Sequence, residues 1–171
     1  RKNMRVASQG HIRVGIVDAN TADLETISNA VAQSWPEADI TEFSNPPEFV
    51  DYTHTERFDL LVADIETLGD IRRDWNLTST FLKSMQLHGA HIVIASDCCN
   101  SPEDRELLID MGADDLVAKP CACFELNHVI RKARTSYLKN LELDKVKNEA
   151  DTDRLTGLAN RRRLDEFLDA L

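Results

Sequence analysis

Four polar residues, each placed directly after a short apolar run, could together carry out phosphoryl-transfer chemistry. They are Asp18, Asp64, Ser96 and Lys119. Two neighbouring carboxylates attract a hard divalent cation such as Mg²⁺, because the cation reduces their mutual repulsion. A hydroxyl and an ammonium bind phosphoryl oxygens, and a carboxylate can attack phosphorus to form an acyl phosphate. If the four side chains meet, the sequence predicts a phosphoryl-accepting site with Asp64 as the nucleophile.

The apolar runs are predicted to be the β-strands that position these residues. They are short, nearly continuous and rich in β-branched residues, which is typical of strands buried on both faces of a parallel sheet. The runs cover residues 11–17, 39–43, 58–63, 91–95 and 115–118. Sites in such sheets form outside the carboxyl ends of the strands, so the four polar residues should share one rim.

Segments with helical periodicity alternate with these runs. Residues 21–34 carry apolar side chains at helical spacing, and Ser101-Pro102 followed by two acids is a strong helix start. Further helices are predicted after Pro46, over residues 77–87, and over residues 124–150, where neither Gly nor Pro occurs. The alternation predicts an α/β fold: a doubly wound five-stranded parallel sheet with an extended C-terminal helix.

The balance of acidic and basic residues argues against some classes of binding partner. The chain of 171 residues holds 20 Lys and Arg against 30 Asp and Glu, and residues 12–125 contain 22 of the acids but 7 of the bases. This acidic segment argues against nucleic-acid binding, whose affinity comes mainly from Lys and Arg at phosphates. No apolar run is long enough to span a membrane and no signal-peptide pattern occurs, so we expect a cytoplasmic protein with no membrane partner.

The strand ends resemble those of the receiver domain of bacterial two-component response regulators. The resemblance covers about residues 12–135 and rests on Val14-Gly-Ile-Val-Asp18, Phe58-Asp-Leu-Leu-Val-Ala-Asp64, Ile94-Ala-Ser96 and Gly112-Ala-Asp-Asp-Leu-Val-Ala-Lys119-Pro120. It implies a flavodoxin-like fold in which a sensor histidine kinase phosphorylates Asp64. It also implies Mg²⁺ bound by Asp18, Asp64 and the backbone carbonyl of Glu66. Ser96 and Lys119 would contact the phosphoryl group, and the peptide bond after Lys119 would be cis.

Three positions depart from the pattern of that family. Ala19 stands where a second acid is usual, so Mg²⁺ should bind more weakly, although Asp23 and Glu66 are nearby acids that could compensate. Leu116 stands where an aromatic switch residue is usual, and Thr67-Leu68-Gly69 replaces the usual Met-Pro-Gly. A degenerate receiver that regulates without phosphorylation is therefore the alternative prediction.

A second resemblance begins near the end of the chain. The stretch Asp153-Arg-Leu-Thr-Gly-Leu-Ala-Asn160-Arg-Arg resembles the opening of the GGDEF domain of diguanylate cyclases, which join two GTP molecules into cyclic di-GMP across two subunits. It implies that Asn160 and Asp169 contact the guanine base of GTP, which an amide and a carboxylate can do. The catalytic Gly-Gly-(Asp/Glu)-Glu-Phe turn is not among these residues, so this segment is not expected to act as a cyclase by itself.

These patterns predict four parts: an N-terminal extension (1–11), a receiver domain (12–135), a helical linker (136–152) and the start of a GGDEF domain (153–171). The last receiver helix carries an apolar stripe made by Leu126, Ile130, Ala133, Tyr137 and Leu141. The stripe is compatible with a helix whose first half packs on the sheet and with a stalk that pairs with a second copy. We expect a homodimer through this helix and the linker.

Four cysteines follow the fourth and fifth predicted strands: Cys98, Cys99, Cys121 and Cys123. Their loops should be neighbours, so the thiols could bind zinc or form a redox disulfide, although their spacings differ from those of familiar zinc sites. Free thiols in a reducing compartment are the simpler interpretation. Thiol or metal sensing by a dimerisation module is the alternative to control by phosphorylation.

Overall fold

The computed structural model describes residues 11–69 and 75–153. Strands and helices alternate along them. The strands are β1 (Arg13–Val17), β2 (Asp39–Phe43), β3 (Leu60–Ala63), β4 (His91–Ser96) and β5 (Asp115–Ala118). The helices are α1 (Thr21–Ser34), α2 (Pro46–Thr53), α3 (Ile65–Leu68), α4 (Trp75–Leu87), α5 (Pro102–Met111) and α6 (Cys123–Asp153), and a 3₁₀ turn covers Asp97–Asn100.

The strands form one parallel sheet in the order β2-β1-β3-β4-β5. This confirms the predicted α/β fold, and it makes β3, which ends just before Asp64, the central strand. β2 and β5 have the predicted bounds, and the other strands differ by one or two residues. The short α3 and the 3₁₀ turn were not predicted, because four residues are too few to display a helical period.

Helix caps fix the loops that carry the strand-end residues. Asn20 caps α1, and its side chain accepts hydrogen bonds from backbone N–H groups of the first turn, including that of Asp23. Ser101 caps α5 as predicted, by accepting from the N–H of Asp104. Gly112 ends α5 with φ of 117°, in the left-handed region that glycine enters without steric cost.

An aromatic cluster packs beneath β1, β2 and β3. Phe43 lies 5.3 Å from Phe49 and 6.0 Å from Phe58, measured between ring centroids, and all three are buried. Gly15 of β1 faces this cluster, because a Cβ at that position would come within 3.0 Å of the Phe58 ring. Every residue of β3 is buried as well, so the strand before Asp64 is held on both faces.

The chain divides into two compact units, Arg1–Ala133 and Arg134–Leu171. In the first, α6 buries the beginning of its predicted stripe, namely Leu126, Ile130 and Ala133. In the second, four apolar side chains of α6 are between 48% and 60% exposed: Leu138, Leu141, Leu143 and Val146. None of the described helices is long and apolar enough to cross a membrane.

Two predicted parts of the chain lie outside the described residues. One is the N-terminal extension up to residue 10, and the other is the segment from residue 154 onward, with Asn160 and Asp169. The predicted GGDEF start and its contacts with GTP therefore stay predictions.

Candidate functional site

The register of the sheet brings the strand-end residues to one edge. β1 and β3 stay paired up to their last residues, so Asp18 and Asp64 leave the sheet side by side. β5 ends beside Ser96, the last residue of β4, and the N–H of Lys119 donates to the Ser96 carbonyl at 3.3 Å. All four residues are at most 9% exposed. The structure therefore places the predicted set at a single, largely buried edge.

The ammonium group of Lys119 lies among three carboxylates. Its Nζ is 2.7 Å from Asp18 Oδ2, 3.1 Å from Asp23 Oδ2 and 3.7 Å from Asp64 Oδ1. Burial alone would lower the pKa of Lys119, but the hydrogen bonds to Asp18 and Asp23 and the charge of Asp64 outweigh it and raise this pKa. Lys119 therefore stays charged at physiological pH and supplies a fixed positive charge beside Asp64.

Asp18 is the most deeply buried carboxylate of the site. Its side chain is 1% exposed, and its Oδ1 accepts a hydrogen bond from the N–H of Asn20 at 2.9 Å. Burial raises the pKa of Asp18, while Lys119 and the Asn20 N–H offset part of this rise. Burying an ionised carboxylate this completely without a partner would cost folding free energy. The ion pair with the Lys119 ammonium therefore allows Asp18 to stay ionised.

The two carboxylate oxygens of Asp64 have different environments. Oδ1 faces Lys119, whereas Oδ2 accepts a hydrogen bond of 2.8 Å from the Thr67 hydroxyl. The same Thr67 oxygen accepts the N–H of Ala19 at 2.9 Å. Thr67 thus connects the loop after β3 to the loop after β1. No pattern in the sequence reveals this contact, since Thr67 stands out there only as a departure from a family pattern.

These groups line an open cleft of about 300 Å³. Its acidic side chains are Asp18, Asp23, Asp64, Glu66 and Asp97. Lys119 is the one basic residue among the described residues of the lining. The surplus of negative charge makes the cleft a favourable place for a cation.

The side chains of Ser96 and Glu66 make hydrogen bonds to Cys98, and the predicted role of the Glu66 backbone carbonyl stays a prediction. Ser96 is fully buried and is not part of the described lining of the cleft, and its hydroxyl oxygen accepts the N–H of Cys98 at 3.4 Å. The side chain of Glu66 is at the surface, where its Oε1 accepts from the Cys98 thiol at 3.4 Å. Because the Ser96 oxygen is the acceptor in this bond, its O–H remains able to donate to an acceptor such as a phosphoryl oxygen.

The oxygen atoms of the cleft fit Mg²⁺ by chemical type. Mg²⁺ prefers carboxylate and carbonyl oxygens, and Asp18, Asp23 and Asp64 already surround one cationic nitrogen. Within residues 11–69 and 75–153, no three acidic, His or Cys side chains are arranged as a ready metal site. The carboxylates are spaced around the ammonium group instead, at the longer distances of hydrogen-bonded ion pairs.

Two further expectations concern the residues around the cleft. The peptide bond between Lys119 and Pro120 is cis, as the resemblance implied. Leu116 of β5 is partly buried and packs against the hydrophobic core. Leu116 thus contributes to the packing of β5 on the core.

Comparison with known proteins identifies the fold. No protein-family model and no curated protein sequence matches the chain. The structure is similar to the chemotaxis response regulator CheY4 of Vibrio cholerae, with a TM-score of 0.60, 15% identity and coverage of 72% of this chain and 99% of that one. It is also similar to the isolated REC domain of RcsB from Salmonella enterica serovar Typhimurium with phosphomimetic BeF3⁻, with a TM-score of 0.54, 18% identity and coverage of 68% and 83%.

A third similar structure is an atypical orphan response regulator described as having a new phosphorylation-independent regulatory mechanism. Its TM-score is 0.56 at 16% identity, with coverage of 71% of this chain and 94% of that one. All three are receiver domains or response regulators, so the five-stranded sheet and its helices have the receiver fold of two-component response regulators. At these identities the similarity establishes the fold, and the chemistry has to be argued from the site.

Proposed function

We propose that the chain is a receiver module that a sensor histidine kinase phosphorylates on Asp64. The observation that carries the proposal is the convergence of Asp18, Asp64 and Lys119 in one acidic cleft at the carboxyl edge of the sheet. A carboxylate with an ammonium group 3.7 Å away is suited to accept a phosphoryl group, because that charge is positioned for the incoming oxygens.

The transfer uses the two oxygens of Asp64 differently. Oδ2 is held by the Thr67 hydroxyl, so Oδ1 is the oxygen that attacks phosphorus. The phosphorus–nitrogen bond of the kinase phosphohistidine breaks as the new phosphorus–oxygen bond forms, and the electron pair of the broken bond stays on the imidazole nitrogen. Lys119 then neutralises charge on the transferred phosphoryl oxygens. Asp18, Asp64 and the Glu66 carbonyl would hold a Mg²⁺ ion, which would supply further charge neutralisation.

Labelling with a small phosphodonor tests this proposal directly. The protein is incubated with acetyl phosphate and Mg²⁺, and intact-mass spectrometry measures the addition of one phosphoryl group. We expect one addition to the wild type and none to D64N. D97N is the matched control, since Asp97 is another acid of the cleft lining and should leave labelling intact. No addition to the wild type, or an addition that persists in D64N, would overturn the proposal.

The regulated output is proposed to be a diguanylate cyclase domain that begins at residue 153. The support is the GGDEF resemblance of residues 153–162 together with a helix, α6, that leads directly into it. GTP would be the substrate of that domain, with Asn160 and Asp169 at the guanine base. Because two GTP-binding halves must meet in such an enzyme, its activity depends on how two copies are arranged.

A homodimer through α6 is the proposed route of control. Leu138, Leu141, Leu143 and Val146 are half-exposed apolar side chains, and such a set on a helix is suited to pair with a second copy. Phosphorylation would shift the balance between dimer arrangements. Light scattering should give twice the monomer mass at high protein concentration, and L141K should reduce that mass. A monomer with and without phosphodonor contradicts this mechanism.

The alternative, a thiol or zinc sensor, receives less support from the structure. Burial raises the pKa of Cys98 and Cys99, and burial with the charge of Asp23 raises the pKa of Cys121 to about 11. Thiolates, not thiols, react with oxidants and bind metals, so these cysteines are poorly reactive at neutral pH. Slow labelling of these cysteines by iodoacetamide in the folded protein is expected. Rapid labelling, or zinc retained through purification, favours the alternative.

A further inference from the structure

One acid of the site, Asp23, comes from helix α1 and not from position 19, where Ala19 has no carboxylate. Asp23 lies in the first turn of α1, and its Oδ2 is 3.1 Å from the Nζ of Lys119. Asp18 approaches the same nitrogen at 2.7 Å from the end of β1. Two carboxylates therefore converge on one positive charge, although only one of them comes from the strand end itself.

Local structure holds Asp23 in this position. The side chain of Asn20 accepts the N–H of Asp23 at 3.2 Å, which fixes the first turn of α1. The side chain of Asp23 is 28% exposed, so it faces the cleft without being sealed in. A carboxylate in the first turn also interacts favourably with the positive end of the helix dipole. Asp23 is therefore held at the cleft and accessible to a cation that enters it.

We infer that Asp23 is a third carboxylate ligand of the divalent cation at this site, beside Asp18 and Asp64, and that it supplies from α1 the acid that is absent at Ala19. This inference rests on the proposed function, since it concerns the Mg²⁺ that phosphorylation of Asp64 would use. The Lys119 ammonium contacts both Asp18 and Asp23. A divalent cation held by these carboxylates would replace those contacts, and Lys119 would then be available to phosphoryl oxygens.

A purely structural role for Asp23 predicts a smaller effect. If Asp23 only anchors Lys119, its removal takes one negative charge from the cleft and weakens cation binding by less than about tenfold, because charges in this open cleft are screened by solvent and salt. If Asp23 is a ligand, its removal weakens cation binding at least about tenfold, the loss typical even of residues that only support a metal ligand. The size of the loss in affinity therefore separates the two roles.

Manganese serves as the probe, because Mn²⁺ takes the same oxygen ligands as Mg²⁺ and its free form is measured by electron paramagnetic resonance. The folded chain is titrated with Mn²⁺ as wild type, D23N and E25Q. Glu25 lies on the exposed side of the same helix, so E25Q removes an equal charge without touching the cleft. We expect D23N to raise the dissociation constant at least about tenfold, and E25Q to leave it within a factor of two.

A repositioned carboxylate completes the test. A19D adds an acid at the strand end, so the double variant A19D/D23N should regain most of the affinity lost in D23N. A loss of affinity in D23N of less than about tenfold, or no recovery in the double variant, overturns the inference. If the wild type binds Mn²⁺ and is phosphorylated while D23N behaves identically, only the inference fails. If the wild type neither binds Mn²⁺ nor accepts phosphate, the proposed function fails with it.

Discussion

Replacing Lys119 by Met removes the charge that compensates Asp18. The side chains of Asp18 and Lys119 are 1% and 9% exposed, and their charged atoms are 2.7 Å apart. Removing one partner of a buried ion pair typically costs about 3–5 kcal/mol of folding free energy, because the other charge is left without compensation. Methionine keeps most of the buried volume of the lysine stem, so this cost is mainly electrostatic.

The loss of folding free energy in K119M has an upper limit, because Asp18 can bind a proton and become neutral when its ion pair is removed. Starting from its ordinary pKa of 3.8, protonating Asp18 at pH 7 costs about 4 kcal/mol, at about 1.4 kcal/mol per pH unit. We therefore expect K119M to lose about 3–4 kcal/mol at pH 7 and less than about 2 kcal/mol at pH 5. The double variant K119M/D18N should recover much of the loss, because it buries a neutral amide.

Urea unfolding in the presence of EDTA, which excludes stabilisation by bound divalent cations, measures these differences. At pH 7 the midpoint of K119M should fall by about 2 M relative to the wild type. K132M is the control: it breaks the exposed Lys132–Asp115 pair and should leave the midpoint nearly unchanged. A loss for K119M below about 1 kcal/mol, or a loss that is the same at pH 5 and pH 7, would refute this reasoning. If K119M does not fold at pH 7, comparison of D18N with the double variant measures the effect of K119M without the Asp18 charge, and this effect should be much smaller than about 3 kcal/mol.

Other predictions follow from single contacts. G15A should cost about 1–3 kcal/mol in urea unfolding, because its Cβ would lie 3.0 Å from the Phe58 ring, and F58L should relieve part of that cost in the double variant; an unchanged midpoint for G15A would contradict the close approach. T67V should cost about 1 kcal/mol through loss of the hydroxyl that also accepts the Ala19 N–H, whereas T67S should be close to wild type. The raised pKa of Lys119 means that its stabilising effect is complete below about pH 10.5 and is lost as pH rises through the folded-state pKa. The stability difference between wild type and K119M should therefore shrink above that pH, and a constant difference up to pH 12 would be inconsistent with the ion pair.

Much of the fold could be predicted because its elements have strong local signals. β2 and β5 were predicted to the residue, and the start of α5 at Ser101-Pro102 combines a cap, a proline and acids in one short stretch. The buried beginning of α6 was harder to delimit. Leu126, Ile130 and Leu141 share one period, yet only the first two are buried, because burial depends on where the sheet ends and not on the helix itself.

The site residues that directly follow strands could be predicted from the sequence. The contacts made by site residues in the adjoining helices could not. Asp18, Asp64 and Lys119 follow apolar runs, so the rule for parallel sheets assigns them to one edge. The contact of Asp23 with Lys119 joins residues far apart in the chain and has no sequence period to reveal it. The hydrogen bond from Thr67 to Asp64 depends on the short α3, which was itself missed for lack of a visible period.

The ion pair between Asp18 and Lys119 joins residues 101 positions apart in the chain. During synthesis, Asp18 emerges from the ribosome long before β5 and has no counter-ion until Lys119 arrives and β5 docks beside β4. A nascent chain that ends before Lys119 therefore holds Asp18 without its counter-ion. The cleft acquires its positive charge only when the last strand of the sheet has been made and has docked.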